Sequence, residues 1–220
     1  MRWEDYYGQD VTMERFVRTV TGFLSPFIEA IREYGGGHRG LEAGCAEGLA
    51  SIYLTHLGYD ITAMDINKEL ISKGRAANDY LRGSVNFVAG DLFDVDGRTG
   101  RYDFAFSQGV LEHFSPGQIV LLLNKQLAIA HRVIFSVPSK RYGRRDFGDE
   151  NLWTYRQWTG ILRKFHIVHS FGFLPRKNRL QSSLLFPLHF AAPRMRTRLL
   201  KRYFCTQIGF VLERRSRTIL

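Results

Sequence analysis

Short apolar runs alternate with helical patterns along the middle of the chain, and this alternation limits the possible folds more than any other feature. Apolar runs of this length predict strands, and helically spaced apolar residues predict helices. The predicted order is strand 39–43, helix 48–57, strand 59–64, helix 67–81, strand 85–88, strand 102–107, helix 117–130 and strand 132–137. Strands that alternate with helices form a parallel sheet through right-handed crossovers. The predicted fold class is therefore α/β, with a doubly wound, mostly parallel sheet.

The two ends of the chain differ from this pattern. Residues 11–34 carry apolar side chains at helical spacing, and Ser25 and Pro26 are typical of an N-cap and a first helical residue, so two N-terminal helices are predicted. The glycine run 35–37 ends the second helix. After Pro138 the predicted order is a basic, aromatic loop (139–151), a helix (154–164), a strand (166–171), a basic insert (175–202) and a last strand (203–212).

Positive charge is concentrated near the C-terminus. The chain has a formal net charge of +10 at pH 7. From Pro175 onward it carries eleven Lys and Arg residues against a single acid, Glu213. Such a region can attract RNA, anionic lipid or acidic metabolites.

Cysteine usage and hydropathy favour a cytoplasmic protein. Cys45 and Cys205 lie far apart and form no metal-binding or disulfide pattern, which fits a reducing compartment. The N-terminus lacks the basic and apolar segments of a secretory signal. The longest apolar stretch, 118–137, is interrupted by polar residues, so no membrane span is expected.

The turn after the first predicted strand, "LEAGCAEG" at residues 41–48, has features of a ligand-binding loop. Gly44 and Gly48 allow the backbone to approach a ligand closely, and the following helix N-terminus favours polar or anionic groups. Asp65 ends the second strand, where a carboxylate can accept hydrogen bonds from a ribose. The dinucleotide fingerprint G-x-G-x-x-G is absent because Ala46 stands at its second glycine position.

"LEAGCAEG" resembles motif I of the class I S-adenosylmethionine-dependent methyltransferases, written E/D-x-G-x-G-x-G, and in particular those of the small-molecule, type 11/12-like group. Glu42, Gly44 and Gly48 match the motif, and Ala46 replaces its middle glycine. Three further segments match the family in order: "ITAMDIN", "VNFVAGDLFDV" and "YDFAFSQGVLEHF". The resemblance implies a Rossmann-like sheet whose last strand is reversed.

The same resemblance implies S-adenosylmethionine as cofactor and S-adenosylhomocysteine as product. Asp65 would hold the ribose hydroxyls, Asp91 would lie near the adenine amino group, and Ser107 and Gln108 would lie beside the methionine part. Tyr6 and Tyr7 precede the first predicted helix, where related enzymes often fold an aromatic ring over the cofactor. The expected cofactor-binding residues are Tyr7, Glu42, Gly44, Cys45, Ala46, Gly48, Asp65, Ile66, Asp91, Leu92, Ser107 and Gln108.

Glu112 and His113 are the candidate catalytic residues, because they follow the fourth predicted strand at the rim of the expected crevice. Methyl transfer from a sulfonium depends mainly on alignment of the reacting atoms, and an acceptor that carries a proton also benefits from a base. In the family, residues at this position contribute a base or a metal ligand in some members. The alternative is that both side chains hydrogen-bond a loop. No metal site is predicted.

Absent motifs limit the acceptor to a small molecule, methylated on O, N or C. The N/D/S-P-P-Y/F sequence of nucleic-acid amino methylases is replaced here by S-Q-G-V, and neither cysteine suits an RNA cytosine C5 enzyme. The loop after the fifth strand mixes arginines with aromatic residues, which favours an aromatic, lipophilic or acidic acceptor. Its expected contacts are Tyr142, Trp153, Tyr155 and Trp158. Alternatively, the last three form one apolar helix face.

We expect one methyltransferase domain over residues 1–220. Its parts would be an N-terminal helical cap (1–37), a cofactor-binding half (38–138) and an acceptor-side half (139–220) that contains the basic insert. The insert has an apolar centre, 184–192, between basic flanks, so peripheral contact with an anionic membrane, a lid, a dimer contact, RNA binding and a packed excursion all stay open. A monomer or homodimer is expected, and no DNA partner.

Two other functions stay open at this point. An RNA methyltransferase would use the basic C-terminal region for phosphate contacts. A non-catalytic module would bind S-adenosylmethionine without turnover.

Overall fold

The computed structural model describes residues 2–97, 101–175 and 205–214. Seven strands form one sheet in the order β3-β2-β1-β4-β5-β7-β6. Their bounds are β1 (Arg39–Ala43), β2 (Asp60–Asp65), β3 (Asn86–Ala89), β4 (Tyr102–Gln108), β5 (Ala130–Pro138), β6 (His166–Pro175) and β7 (Cys205–Glu213). The first five are parallel, and β7 pairs antiparallel with both β5 and β6. The predicted Rossmann-like, mostly parallel sheet with a reversed last strand is confirmed.

Seven α-helices accompany the sheet in the described part of the chain. They are α1 (Trp3–Tyr6), α2 (Met13–Arg18), α3 (Ser25–Tyr34), α4 (Leu49–His56), α5 (Lys68–Tyr80), α6 (Pro116–Ile129) and α7 (Tyr155–Ile161). A π-helical segment, Thr19–Phe23, joins α2 to α3. Side-chain caps explain where three of the helices begin. Asn67 caps α5, and Ser115 and Thr154 form capping boxes at α6 and α7.

The N-terminal prediction needs two corrections. Leu24 occupies the cap position of α3, so Ser25 and Pro26 are its first two residues, and Ser25 is not an N-cap. Tyr6 lies within α1 and does not precede the first helix. Helix α1 has only four residues, which is too short for its apolar spacing to reveal a period.

Both faces of the sheet are covered by helices. On one face, α3, α4 and α5 pack on a cluster that includes Phe27, Phe104 and Phe106. On the other, α6 and α7 pack around Leu123 and Phe135. Each fully buried side chain of this size contributes about 1.5 to 3 kcal/mol relative to exposure. The result is a rigid sheet whose strand order reverses between β1 and β4, and ligands of such sheets bind beyond the strand ends at that point.

The predicted insert falls almost wholly outside the described residues, as does its apolar centre 184–192. The first two residues of the predicted last strand, 203 and 204, also lie outside them. Within the described ranges, no helix is both long and apolar enough to cross a membrane.

Candidate functional site

A cavity of about 550 Å³ opens at the carboxyl ends of β1, β2 and β4. Small-molecule sites commonly have volumes of about 300 to 1,000 Å³, so this cavity is large enough for a cofactor. Its wall is formed by Trp3, Tyr7, Gly44, Ala46, Asp65, Ile66, Asn67, Leu70, Asp91, Leu92, Phe93, Gln108, Gly109, Val110, His113, Phe114 and Asp149. We call it the large cavity.

The turn after β1 is held in one conformation by the end of β2. The backbone N–H groups of Gly44 and Cys45 both donate to the carbonyl of Met64, at 2.8 and 3.0 Å. Gly44 has φ +73°, and a Cβ there would come within 2.6 Å of Val110, so a larger residue is excluded by conformation and by space. Ala46 also adopts a left-handed conformation, with φ 48°.

Asp65 uses both carboxylate oxygens to fix the backbone around the large cavity. Its Oδ2 accepts the N–H of Ala46 at 2.8 Å, and its Oδ1 accepts the N–H of Asn67 at 2.9 Å. The Asn67 side chain in turn caps α5 by accepting from Glu69 and Leu70. This acid is therefore held in place at the cavity wall before any ligand binds.

Asp91 is held in a similar way on the next strand along the sheet. It follows β3, and its carboxylate accepts the N–H of Phe93 at 2.8 Å and so caps a 3-10 turn over Leu92–Asp94. Leu92, Phe93 and Phe114 add an apolar wall beside it. The two predicted acids, Asp65 and Asp91, thus line one cavity.

Eight of the twelve predicted cofactor-binding residues line the large cavity. These are Tyr7, Gly44, Ala46, Asp65, Ile66, Asp91, Leu92 and Gln108. The other four do not line it, and their contact with a cofactor stays a prediction: Glu42, Cys45, Gly48 and Ser107.

These four residues belong to the turn after β1 or to the structure that packs behind it. Glu42 is buried and accepts a hydrogen bond from the Ser51 hydroxyl of α4; burial raises its pKa to about 8. At Gly48, with φ +68°, a Cβ would come within 2.7 Å of Phe87, so this glycine allows close packing beneath the turn. Cys45 is buried, and burial raises the pKa of its thiol. Ser107 is buried in β4.

A second, smaller cavity of about 130 Å³ adjoins the large one. We call it the small cavity. The two share Trp3, Tyr7, Gln108, Gly109 and His113. The remaining wall of the small cavity is formed by Tyr6, Phe23, Glu112, Pro138, Tyr142, Asp146, Phe147, Glu150, Leu152 and Gln207.

His113 lies where the two cavities meet and Glu112 lines the small cavity, both on a 3-10 turn after β4. Glu112 is buried, and its Oε2 has no hydrogen-bond partner among the described residues. Burial raises its pKa to about 8, and the carboxylates of Glu150 and Asp149 act in the same direction. His113 Nδ1 lies 2.8 Å from Asp149 Oδ1, so Asp149 fixes the orientation of the imidazole ring.

Comparison with known proteins agrees with this geometry. Residues 41–130 match the family model described as "Methyltransferase domain". We call these residues the matched methyltransferase domain. They run from within β1 to the first residue of β5, and so include the Gly44 turn, Asp65 and Asp91.

A curated relative of the methyltransferase domain is the magnesium-protoporphyrin O-methyltransferase of Rhodobacter capsulatus, which is 32% identical over 109 residues. That match covers 47% of this chain and 46% of the relative, so it spans about half of the relative's length. Among solved structures, magnesium protoporphyrin IX methyltransferase from Synechocystis PCC 6803 with bound SAH has a TM-score of 0.62 at 17% identity, covering 96% of this chain and 92% of that chain. The PH0226 protein from Pyrococcus horikoshii OT3 has a TM-score of 0.67 at 13% identity, covering 96% and 99%. These two likenesses show the fold.

Only one of the four predicted acceptor residues lines a cavity beside the methyltransferase domain's turn. Tyr142 faces the small cavity, whereas Trp153, Tyr155 and Trp158 face neither cavity and are corrected here. Trp158 is fully buried, and Tyr155 stacks on Phe210 at 5.5 Å between ring centroids. Tyr155 and Trp158 of α7, together with Trp153 just before it, pack on the apolar cluster beneath the sheet, as the alternative interpretation has it.

In the N-terminal part of the cavity wall, the sequence patterns indicated Tyr7 but missed Trp3. Trp3 of α1 stacks on Phe147 at 3.8 Å between ring centroids and meets the His113 ring edge-on at 5.1 Å. Glu4 accepts a hydrogen bond from the Asn67 side chain, which ties α1 to the start of α5. Other missed wall residues are Leu70, Phe93, Gly109, Val110, Phe114 and Asp149. Among the missed residues, only Asn67 could have been found from the sequence, because it follows Asp65 at the start of a predicted helix.

Proposed function

We propose that this chain transfers a methyl group from S-adenosylmethionine to a small-molecule acceptor and releases S-adenosylhomocysteine. The observation that carries the proposal is that Asp65 and Asp91 line one cavity beside the fixed turn at Gly44. The matched methyltransferase domain and the likeness to a solved structure with bound SAH support it.

The large cavity has the groups that an adenosyl ligand needs. Asp65 keeps lone pairs that can accept hydrogen bonds from ribose hydroxyls while it holds the turn. The wall of Leu92, Phe93 and Phe114 offers apolar contact to an adenine, and Asp91 offers an acceptor for its amino group. Gln108 and Gly109 belong to both cavities, so a methionine part near them would lie next to the acceptor.

S-adenosylmethionine supplies an electrophilic methyl group on a sulfonium, and the protein's task is to align an acceptor atom with it. Glu112 is the proposed base, because it is buried in the wall of the small cavity and has one oxygen without a partner among the described residues. His113 is proposed to contact the acceptor in the orientation that Asp149 gives it. Both roles are inferred from where the two side chains lie in the cavity wall.

The volume of the small cavity limits how much of an acceptor can enter it. At about 130 Å³ it would admit a small molecule or the reacting end of a larger one. The curated relative is named for methylation of a magnesium porphyrin on oxygen. An acceptor of that size would insert only one peripheral group here.

Calorimetry with S-adenosylmethionine, followed by a turnover assay, tests the proposal. The full-length protein is incubated with S-adenosylmethionine and either an ultrafiltered metabolite extract or total RNA, and release of S-adenosylhomocysteine is measured. We expect tight binding and turnover with the metabolite fraction. Turnover with RNA alone, steeply reduced by salt, would support an RNA methyltransferase instead. Binding without turnover in any fraction would support a non-catalytic module.

A further inference from the structure

We propose that the small cavity is the acceptor site and that it selects an acceptor with a protonated amine, whose nitrogen receives the methyl group. This inference rests on the proposed function and names the class of its substrate. It is carried by the charge and the aromatic character of the cavity wall, together with one buried acid that lacks a partner among the described residues.

The described wall of the small cavity is acidic. It contains Glu112, Asp146 and Glu150, and no lysine or arginine occurs among its described lining residues. The Asp146 carboxylate lies 2.9 Å from the Arg144 guanidinium, which neutralises it at the exposed rim. Neither glutamate has such an ion pair within the described ranges, so the charge of Glu150 lies at the cavity without a counterion.

Glu150 provides a fixed negative charge. Its Oε1 accepts the backbone N–H groups of Asp146 and Phe147 at 2.7 and 2.8 Å, and its Oε2 accepts that of Gly148 at 2.9 Å. Burial by itself raises the pKa of Glu150, but these backbone donors outweigh it and hold the pKa below its usual range. The side chain is therefore ionised at neutral pH although it is 5% exposed.

Glu112 provides a hydrogen-bond acceptor that no described group satisfies. Its Oε2 is buried without a partner in the described part of the chain, and such a group costs about 1 to 3 kcal/mol unless a ligand donates to it. An ammonium N–H fits this need and also favours the ionised form of the carboxyl group. A carboxylate ligand would instead meet the ionised Glu150 and be repelled.

Aromatic rings complete a wall that suits a cation. Trp3 and Tyr6 of α1 both pack on Phe147, with ring centroids 3.8 and 5.1 Å apart. Tyr7 and Tyr142 line the same cavity. Aromatic faces attract organic cations, and the attraction increases when the site excludes water.

The reaction balances with Glu112 as the base. The bound ammonium gives one proton to the Glu112 carboxylate, which leaves a neutral amine with a free lone pair. That lone pair forms the C–N bond while the C–S bond breaks, and the electron pair of the C–S bond stays on the sulfur of S-adenosylhomocysteine. The product leaves as a methylated ammonium, and Glu112 returns its proton to solvent. Glu150, Asp149 and His113 are the charged and titratable groups that face Glu112.

This charge differs from the sequence-based expectation of an acidic acceptor. That expectation followed from the arginines of the loop after β5. Arg144 does not line the small cavity, and its side chain is 69% exposed where it pairs with Asp146. The acids and aromatic rings of the loop face the cavity, because the backbone N–H groups of residues 146–148 donate hydrogen bonds to the Glu150 carboxylate.

Three probes of similar shape and different charge test the inference: tert-butylammonium, tert-butanol and pivalate. Each is titrated into the protein saturated with S-adenosylhomocysteine, so that the large cavity is filled. Binding is followed by the indole N–H resonance of Trp3, which lines the small cavity, and the buried Trp158 indole serves as the internal control. We expect tert-butylammonium to shift the Trp3 resonance with at least about fivefold higher affinity than either other probe.

Two variants identify the source of the selectivity. Glu150→Gln is expected to reduce this preference to about twofold or less, since it removes the fixed charge. Glu29→Gln removes one charge from an exposed ion pair with Arg32 and should leave the preference unchanged. Circular dichroism establishes that both variants fold. If Glu150→Gln is unfolded, Glu112→Gln takes its place.

The outcomes separate the two proposals. Equal or stronger binding of pivalate or tert-butanol, or no response to any probe, would overturn the inference about the acceptor. Absence of S-adenosylhomocysteine binding would overturn the proposed function on which the inference rests. In the turnover assay, an acceptor that is methylated on a carboxylate or a phenol would also overturn the amine assignment.

Discussion

The Asp65 carboxylate accepts the backbone N–H of Ala46 at 2.8 Å, so the acid at the end of β2 holds the glycine turn that follows β1. A single side chain thereby joins two of the motifs recognised in the sequence. The proposed ribose contact and the observed turn contact depend on the same carboxylate, so a change at Asp65 should affect both.

Substitution Asp65→Asn is expected to weaken S-adenosylmethionine binding by about 10- to 100-fold and to lower the free energy of unfolding by about 1 to 2 kcal/mol. The amide keeps one acceptor oxygen, but it cannot serve Ala46, Asn67 and a ribose together. Calorimetry and urea denaturation measure the two effects. Asp60→Asn changes the same residue type at the exposed start of β2 and should leave both quantities unchanged. An unaltered affinity in Asp65→Asn would contradict the assigned role.

Gly44 and Ala46 should respond oppositely to an exchange of alanine and glycine. Gly44→Ala places a Cβ within 2.6 Å of Val110 at a positive φ, so we expect a loss of about 2 to 3 kcal/mol in the free energy of unfolding. Ala46→Gly removes the strain of a left-handed alanine at φ 48° but raises the conformational entropy of the unfolded chain. The free energy of unfolding should therefore change by no more than about 1 kcal/mol. Urea denaturation of both variants tests this contrast. Similar losses in the two variants would show that the turn is not constrained as described.

Glu42 makes stability depend on pH. Burial raises the pKa of Glu42 to about 8, so between the ordinary carboxyl pKa and about 8 the folded state holds a proton that the unfolded state has lost. The free energy of unfolding therefore falls as pH rises through this window. Glu42→Gln keeps an acceptor for Ser51 and removes the titration, so its stability relative to the wild type should rise by about 1 to 3 kcal/mol from pH 5 to pH 8.

Urea denaturation at pH 5, 6.5 and 8 measures this difference. Glu112 has a pKa raised in the same direction, so the Glu42→Gln protein should depend on pH less steeply than the wild type and still not be flat. Parallel curves for the variant and the wild type would contradict a raised Glu42 pKa.

Asp149 is expected to act by positioning His113. Its side chain is 63% exposed, so Asp149→Asn should change the free energy of unfolding by less than about 0.5 kcal/mol. Loss of ring orientation should lower kcat by about tenfold while KM for the acceptor stays near its original value. The assay is release of S-adenosylhomocysteine with the metabolite fraction that supports turnover, and the nitrogen resonances of the His113 ring report its tautomer. An unchanged kcat with an altered KM would assign Asp149 to acceptor binding instead.

The sequence by itself determined the order of the strands and helices and the position of the main cavity. Strand alternation and helical spacing are local patterns, and a parallel sheet brings the carboxyl ends of its strands to one edge. For this reason the sequence alone predicts that Gly44, Asp65 and Asp91 lie close together, and all three line the large cavity. Local spacing did not reveal which neighbour each side chain reaches, so the hydrogen bond between Ser51 and Glu42 was not foreseen.

Only the tertiary structure decided the composition of the small cavity and the burial of Trp158. Trp3 meets Phe147, and His113 meets Asp149, across large separations in the chain, and no local period encodes such contacts. An apolar helix face fits a ligand pocket or a core equally well, and packing against the sheet decided the role of Trp158. Net charge is a sum over the whole chain, whereas a cavity presents only the few groups that the fold turns inward, so a basic chain encloses an acidic site.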